Sequence, residues 1–393
     1  MGETIYFDYG ATTKVRPEVF AAMRPFLESG YGNPSSIYLA AREAKKALEG
    51  FRENVARAIG AHADEIFFTS GGTEADNWAL IGAAQANAQK GKHIITTKIE
   101  HHAILHTCEY LESLGFEVSY LPVNNDGLLE IPVLEAAIRP DTILVSVMLA
   151  NNEIGTLQPV DEIGALVRKN NILFHTDAVQ AVGRVPIDVN ALQIDMLSMS
   201  AHKCYGPKGI GALYIRKGTS VKPFLHGGGQ ERSKRAGTEN MPGIAGFSTA
   251  ITLVTDEMEN EAKRLRRLQD KLINGIFQHV PHVHLNGHRE KRLPNNVNVS
   301  FEFIEGESLL LMLDMKGIFA SSGSACTSGA LDPSHVLTAI GLTHELAHGS
   351  LRLTMGRETT EAHIDRFLVE LPPIVQRLRE MSPLYEEYLK KQR

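Results

Sequence analysis

The run from Ser198 to Tyr214, SMSAHKCYGPKGIGALY, sets a lysine where it could do chemistry. Met196, Leu197 and Met199 lead an apolar run into Ser200, Ala201, His202 and Lys203. Gly206, Pro207, Gly209 and Gly211 follow, and then a second apolar run. That pattern predicts a strand, a glycine-rich turn and another strand. Lys203 then sits at a strand end beside a histidine and a serine. A lysine in such a place can lose hydration, lower its pKa and act in Schiff-base chemistry. Standing alone it would be an ordinary surface lysine in a turn, so its role depends on what converges on it.

In an open parallel sheet, ligands sit beyond the carboxyl ends of the strands. Five predicted strand ends carry polar groups. After 66–69 come Ser70, Gly71, Gly72 and Thr73, opening a helix; free N–H groups and a hydroxyl there make a phosphate nest. After 93–97 come Glu100, His101 and His102, and after 143–148 come Asn151, Asn152 and Glu153. After 172–176 comes Asp177, with Gln180 one helical turn on, and after 195–200 come His202 and Lys203. Each alone has a plain reading: a Gly-Gly turn, an N-capping Asp177, a structurally satisfied His101, a turn-forming Asn152. Together they supply a Schiff-base lysine, a phosphate cradle, a carboxylate for a pyridinium nitrogen and an imidazole. That is the set required by pyridoxal 5′-phosphate.

The elements that must position these groups follow from periodicity. Short apolar runs at 66–69, 93–97, 116–123, 143–148, 172–176 and 195–200 alternate with amphipathic helices at 73–90, 102–114, 131–138 and 160–169. Such alternation predicts an α/β fold with a mostly parallel sheet flanked by helices. Helices are also predicted over 17–28 and 40–59. A long charged helix at 251–279 leads into a smaller α+β region, with strands at 297–304 and 350–355, helices at 306–315 and 333–341, and a final helix over 360–390. A chain of 393 residues is too long for one ordinary core. The reading is a large domain over 14–255 and a small one made of 1–13 and 256–393.

Composition excludes several classes. Apolar residues make up 43%, charged residues 22%, and the net charge is −6, which gives no electrostatic case for nucleic acid or membrane partners. No apolar run reaches the roughly 18 residues of a membrane span. MGETIYFDYG lacks the basic and apolar regions of a secretory leader. Three cysteines, Cys108, Cys204 and Cys326, make no disulfide framework, and a reducing cytoplasm fits. Cys108 lies on a helix face and Cys204 behind the lysine; both read as core. Cys326 stands in SSGSACTSG, a run of tiny polar residues that packs no core, which predicts a mobile segment and an accessible thiol.

Over nearly its whole length the sequence resembles the cysteine desulfurases of the NifS/IscS class, which are fold-type I pyridoxal-phosphate enzymes. The matching stretches are FDYGATT, GNPSSI, FTSGGTEADN, TTKIEHHAIL, ANNEIGT, HTDAVQAVG, SAHKCYGPKGIGALY, HGGGQE, RAGTEN, SSGSACTSG and HGSLRLTMGR. The resemblance implies that Lys203 holds the cofactor, His101 stacks on its ring and shuttles protons, Asp177 pairs with the pyridinium and Gln180 touches the phenolic oxygen. It implies that Gly72, Thr73, Ser200 and His202 bind the phosphate, with Thr238 reaching the phosphate of a partner subunit. Asn152 and Arg352 would hold the substrate carboxylate, and Cys326 would take the sulfur of L-cysteine as a persulfide. L-alanine would be released, and the sulfur would pass to an iron–sulfur scaffold or another acceptor protein. A homodimer is implied. The family usually has Asn and Ala at Tyr9 and Gly10, His at Tyr38, and a large apolar residue at Cys204. Tyr9 and Tyr38 fall in segments expected near the substrate entrance.

Two rival readings have sequence support. A selenocysteine lyase would use the same kit. HELAH at 344–348 is a literal match to the zinc-hydrolase HExxH. Gly349 and a strand follow at once, however, so the helix should end at His348, and the sequence predicts no metal site.

Overall fold

The computed structural model describes residues 4–322 and 333–392. In chain order the first half runs β1 (Ile5–Tyr6), α1 (Pro17–Glu28), α2 (Leu39–Arg57), β2 (Ile66–Thr69), α3 (Gly72–Asn87), β3 (His93–Thr97), α4 (His102–Ser113), β4 (Glu117–Leu121), α5 (Ile131–Ala137), β5 (Thr142–Ser146), α6 (Val160–Lys169), β6 (Leu173–Asp177), β7 (Met196–Ser200) and β8 (Gly211–Ile215). The alternation in the sequence is thus the alternation in space.

Seven of these strands form one sheet in the order β2-β8-β7-β6-β5-β3-β4. β3 runs parallel to β4 and β5, β5 to β6, and β6 to β7, while β8 is antiparallel to both β7 and β2. β3, β5 and β7 are buried at every residue, as strands covered by helices on both faces must be. Parallel strands end at one edge, and Asp177 lies opposite Ser198 in register, so the polar residues after β6 and β7 emerge side by side. Gly211 makes this edge possible. A Cβ there would lie 2.8 Å from Gly71 Cα, so only glycine lets β8 start against the turn that opens α3.

The second half carries α7 (Gln230–Ser233), α8 (Met241–His279), β9 (Val283–Leu285), β10 (Asn296–Phe301), α9 (Gly306–Asp314), β11 (Ile318–Phe319), α10 (His335–Ala339), α11 (His344–His348), β12 (Ser350–Thr354), α12 (Glu361–Glu380) and α13 (Pro383–Gln392). β12, β10 and β9 make an antiparallel sheet, and β11 pairs in parallel with β1, which brings the start of the chain to this region. α8 links two cores. Ile244, Phe247 and Ile251 pack with the large sheet, while Leu268, Leu272 and Ile276 pack with Phe301, Leu353 and Phe367.

Two boundaries differ from the sequence expectation. α8 starts ten residues early, because Asn240 accepts from the Gly243 N–H and Pro242 falls in the first turn, where proline costs nothing. The last helix is two helices, because Pro383 begins a new one after Ser382. No helix among the described residues is long and apolar enough to cross a membrane.

Candidate active site

A cavity of about 310 Å³ opens at the carboxyl edge of the large sheet. Its wall brings together Gly72, Thr73, His101, Asn152, Asp177, Gln180, Ser200, His202, Lys203 and Arg352, ten of the twelve residues singled out from the sequence. Cys326 lies outside the described residues. Thr238 is exposed on the surface and does not line the cavity.

Lys203 follows β7 in a single 3₁₀ turn, Ala201–Lys203. Its Nζ donates to the carbonyls of Gly10 and Ala11, both at 2.7 Å. Gln180 Nε2 donates to the same Gly10 oxygen at 3.0 Å. The Arg184 guanidinium holds the Lys203 carbonyl at 3.1 Å. The lysine is therefore fixed at its backbone from one side and at its amine from the other. Behind it a void of about 40 Å³ borders Cys204, Val254 and Met355.

Asp177 ends β6 and is buried at the cavity wall. Val179 N–H donates to its Oδ1 at 2.8 Å. Burial pushes its carboxyl up to about 6, against the pull of the Lys203 charge. Sequence reading missed a second carboxyl beside it. Asp76, on α3, is buried and also lines the cavity, and its Oδ1 has no hydrogen-bond partner among the described residues. Burial first, and the Asp177 charge second, hold Asp76 well above the usual carboxylate range. His175 Nε2 lies 3.7 Å from it and bonds Ser198 Oγ at 3.0 Å. Burial pushes that imidazole down to about 3, so it is neutral. The one available sequence signal for Asp76 is its place one helical turn after Gly72.

His101 caps α4, its Nδ1 accepting from Ala103 N–H at 3.1 Å. Burial and then the Lys203 charge bring its pKa down to about 4. The ring is neutral with its proton on Nε2, the tautomer that the cap selects.

Pyridoxal phosphate fits this donor set. A cavity of this size is at the scale of small-molecule sites. At one end the first N–H groups of α3 have no intrahelical acceptor and carry the positive end of the helix dipole, suited to a phosphate. A Cβ on Gly72 would stand 2.7 Å from Val179 Cγ2, so the cradle tolerates no side chain. At the other end Asp177 is a buried carboxyl that a protonated ring nitrogen would return to its ionised form. His202, pushed down to about 4 by burial, holds Thr12 Oγ1 at 3.2 Å beside the cradle.

The substrate end departs from expectation in detail. Arg352 on β12 faces the cavity, but Asn152 meets it through its carbonyl, which accepts from Arg352 Nη1 at 3.1 Å. Arg352 Nη2 donates to Asp8 Oδ1 at 3.0 Å. Tyr9 turns away from the cavity; it is buried edge-on to Tyr6 at 4.9 Å and packs against Gly356. Tyr38 is exposed at the start of α2. Glu231, in the HGGGQE stretch, is buried and bidentate with Arg52 at 2.7 and 2.8 Å, and it accepts from Phe68 N–H. Arg235 pairs with Glu74 at 2.8 Å, tying the segment before Thr238 to the first turn of α3. HELAH forms α11, which stops at His348. Among the described residues no three His, Cys, Asp or Glu side chains gather to hold a metal ion.

The aminotransferase class-V family matches residues 5–367. A Methanosarcina thermophila protein named "Cysteine desulfurase IscS" is 58% identical, covering 97% of this chain and 94% of its own. A Clostridium botulinum protein of the same name is 57% identical and covers 99% of both. Among solved structures, a "NIFS-LIKE PROTEIN" superposes with a TM-score of 0.90 at 40% identity, covering 96% of this chain and 100% of the other. "SspA in complex with cysteine" superposes with a TM-score of 0.80 at 38% identity, covering 90% and 99%.

Proposed function

The chain belongs to the aminotransferase class-V family, and from that premise we propose that it is a cysteine desulfurase dependent on pyridoxal 5′-phosphate. It would move the sulfur of L-cysteine onto Cys326 as a persulfide and release L-alanine. The observation that carries this reading is the convergence of Lys203, Asp177, His101 and Arg352 on one cavity.

When bound, the cofactor supplies an electron sink for the α-carbon of an amino acid. Lys203 holds it at rest. Asp177 keeps the proton on its ring nitrogen, and the start of α3 with Thr73, Ser200 and His202 holds its phosphate. Arg352 binds the substrate carboxylate, which fixes the α-carbon in front of the lysine. The Lys203 amine takes the α-proton. His101, neutral with its proton on Nε2 and its Nδ1 engaged by Ala103 N–H, serves as a proton donor. The Cys326 thiolate attacks the substrate sulfur; the carbon–sulfur bond breaks and its electron pair returns to the carbon, which is then protonated.

The reading extends to a homodimer in which Thr238 reaches the neighbour's phosphate. The exposed Tyr31, Ile37 and Leu39 offer apolar surface for that contact. The chain divides into a large domain over 14–255 and a small one of 1–13 and 256–393. It works in the cytoplasm and passes its persulfide to a scaffold for iron–sulfur clusters. The deciding experiment incubates the yellow enzyme with L-cysteine and a reductant and measures alanine and sulfide while the absorbance spectrum is recorded. Equal amounts of both are expected; a yellow enzyme that makes no alanine refutes the proposal.

A further inference from the structure

Arg352 is engaged by two groups of the chain itself. Nη2 donates to Asp8 Oδ1 at 3.0 Å, and Nη1 to the Asn152 carbonyl at 3.1 Å. The Arg352 side chain is 4% exposed, and its Nε is enclosed, with no partner among the described residues. The Nε edge is thus closed to a ligand. A carboxylate that enters the cavity meets the Nη nitrogens, and one of these carries Asp8.

Two carboxylates on one guanidinium face repel each other. The existing pair is also neutral, so an incoming carboxylate meets no net positive charge until Asp8 gives way. Asp8 is able to do so, because its side chain is 21% exposed and water can take over its solvation. Its backbone stays fixed meanwhile, bridged to Thr354.

We propose that Asp8 is a placeholder for the substrate's α-carboxylate: it holds Arg352 in the binding pose while the site is empty and is displaced when an amino acid enters. This rests on the reading that gives Arg352 to the substrate carboxylate. The arrangement discriminates by chemical class. An amine without a carboxylate cannot displace Asp8 and leaves the pair intact, whereas an α-amino acid exchanges one carboxylate for another. The exchange costs affinity, which keeps the product's carboxylate from lingering.

The test uses holoenzyme and the absorbance change on adding L-alanine, the expected product, with ethylamine as the probe lacking a carboxylate. In Asp8→Asn the competing charge is gone and the side-chain volume is kept. L-alanine should bind about three- to tenfold more tightly, and KM for L-cysteine should fall by the same factor with kcat within about twofold. Ethylamine binding should not change. Asp8→Ser is read in the same way, so a folding failure of one variant leaves the other, and urea unfolding of each cofactor-free protein checks the fold. If both variants bind L-alanine as the parent does, or more weakly, Asp8 is a clamp rather than a placeholder and the proposal is overturned. Arg352→Ala separates the two levels. It should abolish L-alanine binding; undiminished binding would overturn the role of Arg352 and the placeholder with it.

Discussion

Lys203 Nζ stands 2.7 Å from the carbonyl oxygen of Gly10, 193 positions earlier in the chain. The amine that the chemistry needs is held by the N-terminal segment while the sheet holds its backbone. Lys203→Ala should therefore keep a phosphate cradle and an Asp177 able to bind cofactor, yet lose its covalent attachment. Alanine production should drop by several orders of magnitude. Borohydride reduction followed by protein mass measurement checks this; cofactor still fixed to the variant would assign the link to another lysine.

The three thiols differ in what burial allows. Cys108 and Cys204 are 0% and 3% exposed. Burial pushes Cys204 up to about 12 and Cys108 further still. Only a thiolate attacks sulfur, so neither can serve near neutral pH. Cys326→Ala should keep the yellow cofactor and stop persulfide formation. Cys108→Ala and Cys204→Ala should cost only packing, about 1 kcal/mol. Mass spectrometry after cysteine treatment decides it: a persulfide on Cys108 or Cys204, with Cys326 unmodified, would reverse the assignment.

The positions of Gly72, Thr73, Asp177, Ser200, His202 and Lys203 were legible because parallel strands read as unbroken apolar runs and ligand-binding residues follow them directly. What Asp8 and Asp76 do was not. Asp8 meets a guanidinium 344 positions away, and no local pattern encodes that pairing. Asp76 looks like any polar residue of a first helical turn until the fold encloses it. Asn152 lines the cavity, but the contact seen there is its carbonyl accepting from Arg352, and a backbone atom leaves no trace in a side-chain pattern. The early start of α8 escaped because Met-Pro-Gly reads as a break unless Asn240 is recognised as a cap.

Buried carboxyls make stability depend on pH. Burial raises Glu100 to about 8 and Glu153 to about 7, from ordinary values near 4.5. Between about pH 6.5 and 8 the folded chain keeps protons that the unfolded chain has lost, so stability falls as pH rises. Over that interval Glu100 is worth about 1–2 kcal/mol and Glu153, which ionises within it, about 1 kcal/mol or less. His101, His175 and His202 have depressed pKa values, so their contribution changes below this window. Urea unfolding of the cofactor-free protein should show the decline, and Glu100→Gln should flatten it, with the buried Asp76 and Glu153 supplying what remains. An unchanged slope would mean that Glu100 is ionised in the folded chain.

The N-terminal segment also orders events in time. The seven-stranded sheet is complete once Ile215 has been made, but Gly10 is pinned by Thr354, whose Oγ1 accepts its N–H at 2.7 Å. During synthesis the N-terminal segment has Gln180 and His202 to dock against early, but its anchor on Thr354 and the Arg352 wall of the cavity follow Lys203 by a delay on the order of ten seconds at ordinary translation rates. A ribosome-bound chain carries a finished sheet and an unfinished pocket. A nascent chain stalled before residue 350 would carry the sheet and its lysine but not Arg352, the cationic wall of the cavity.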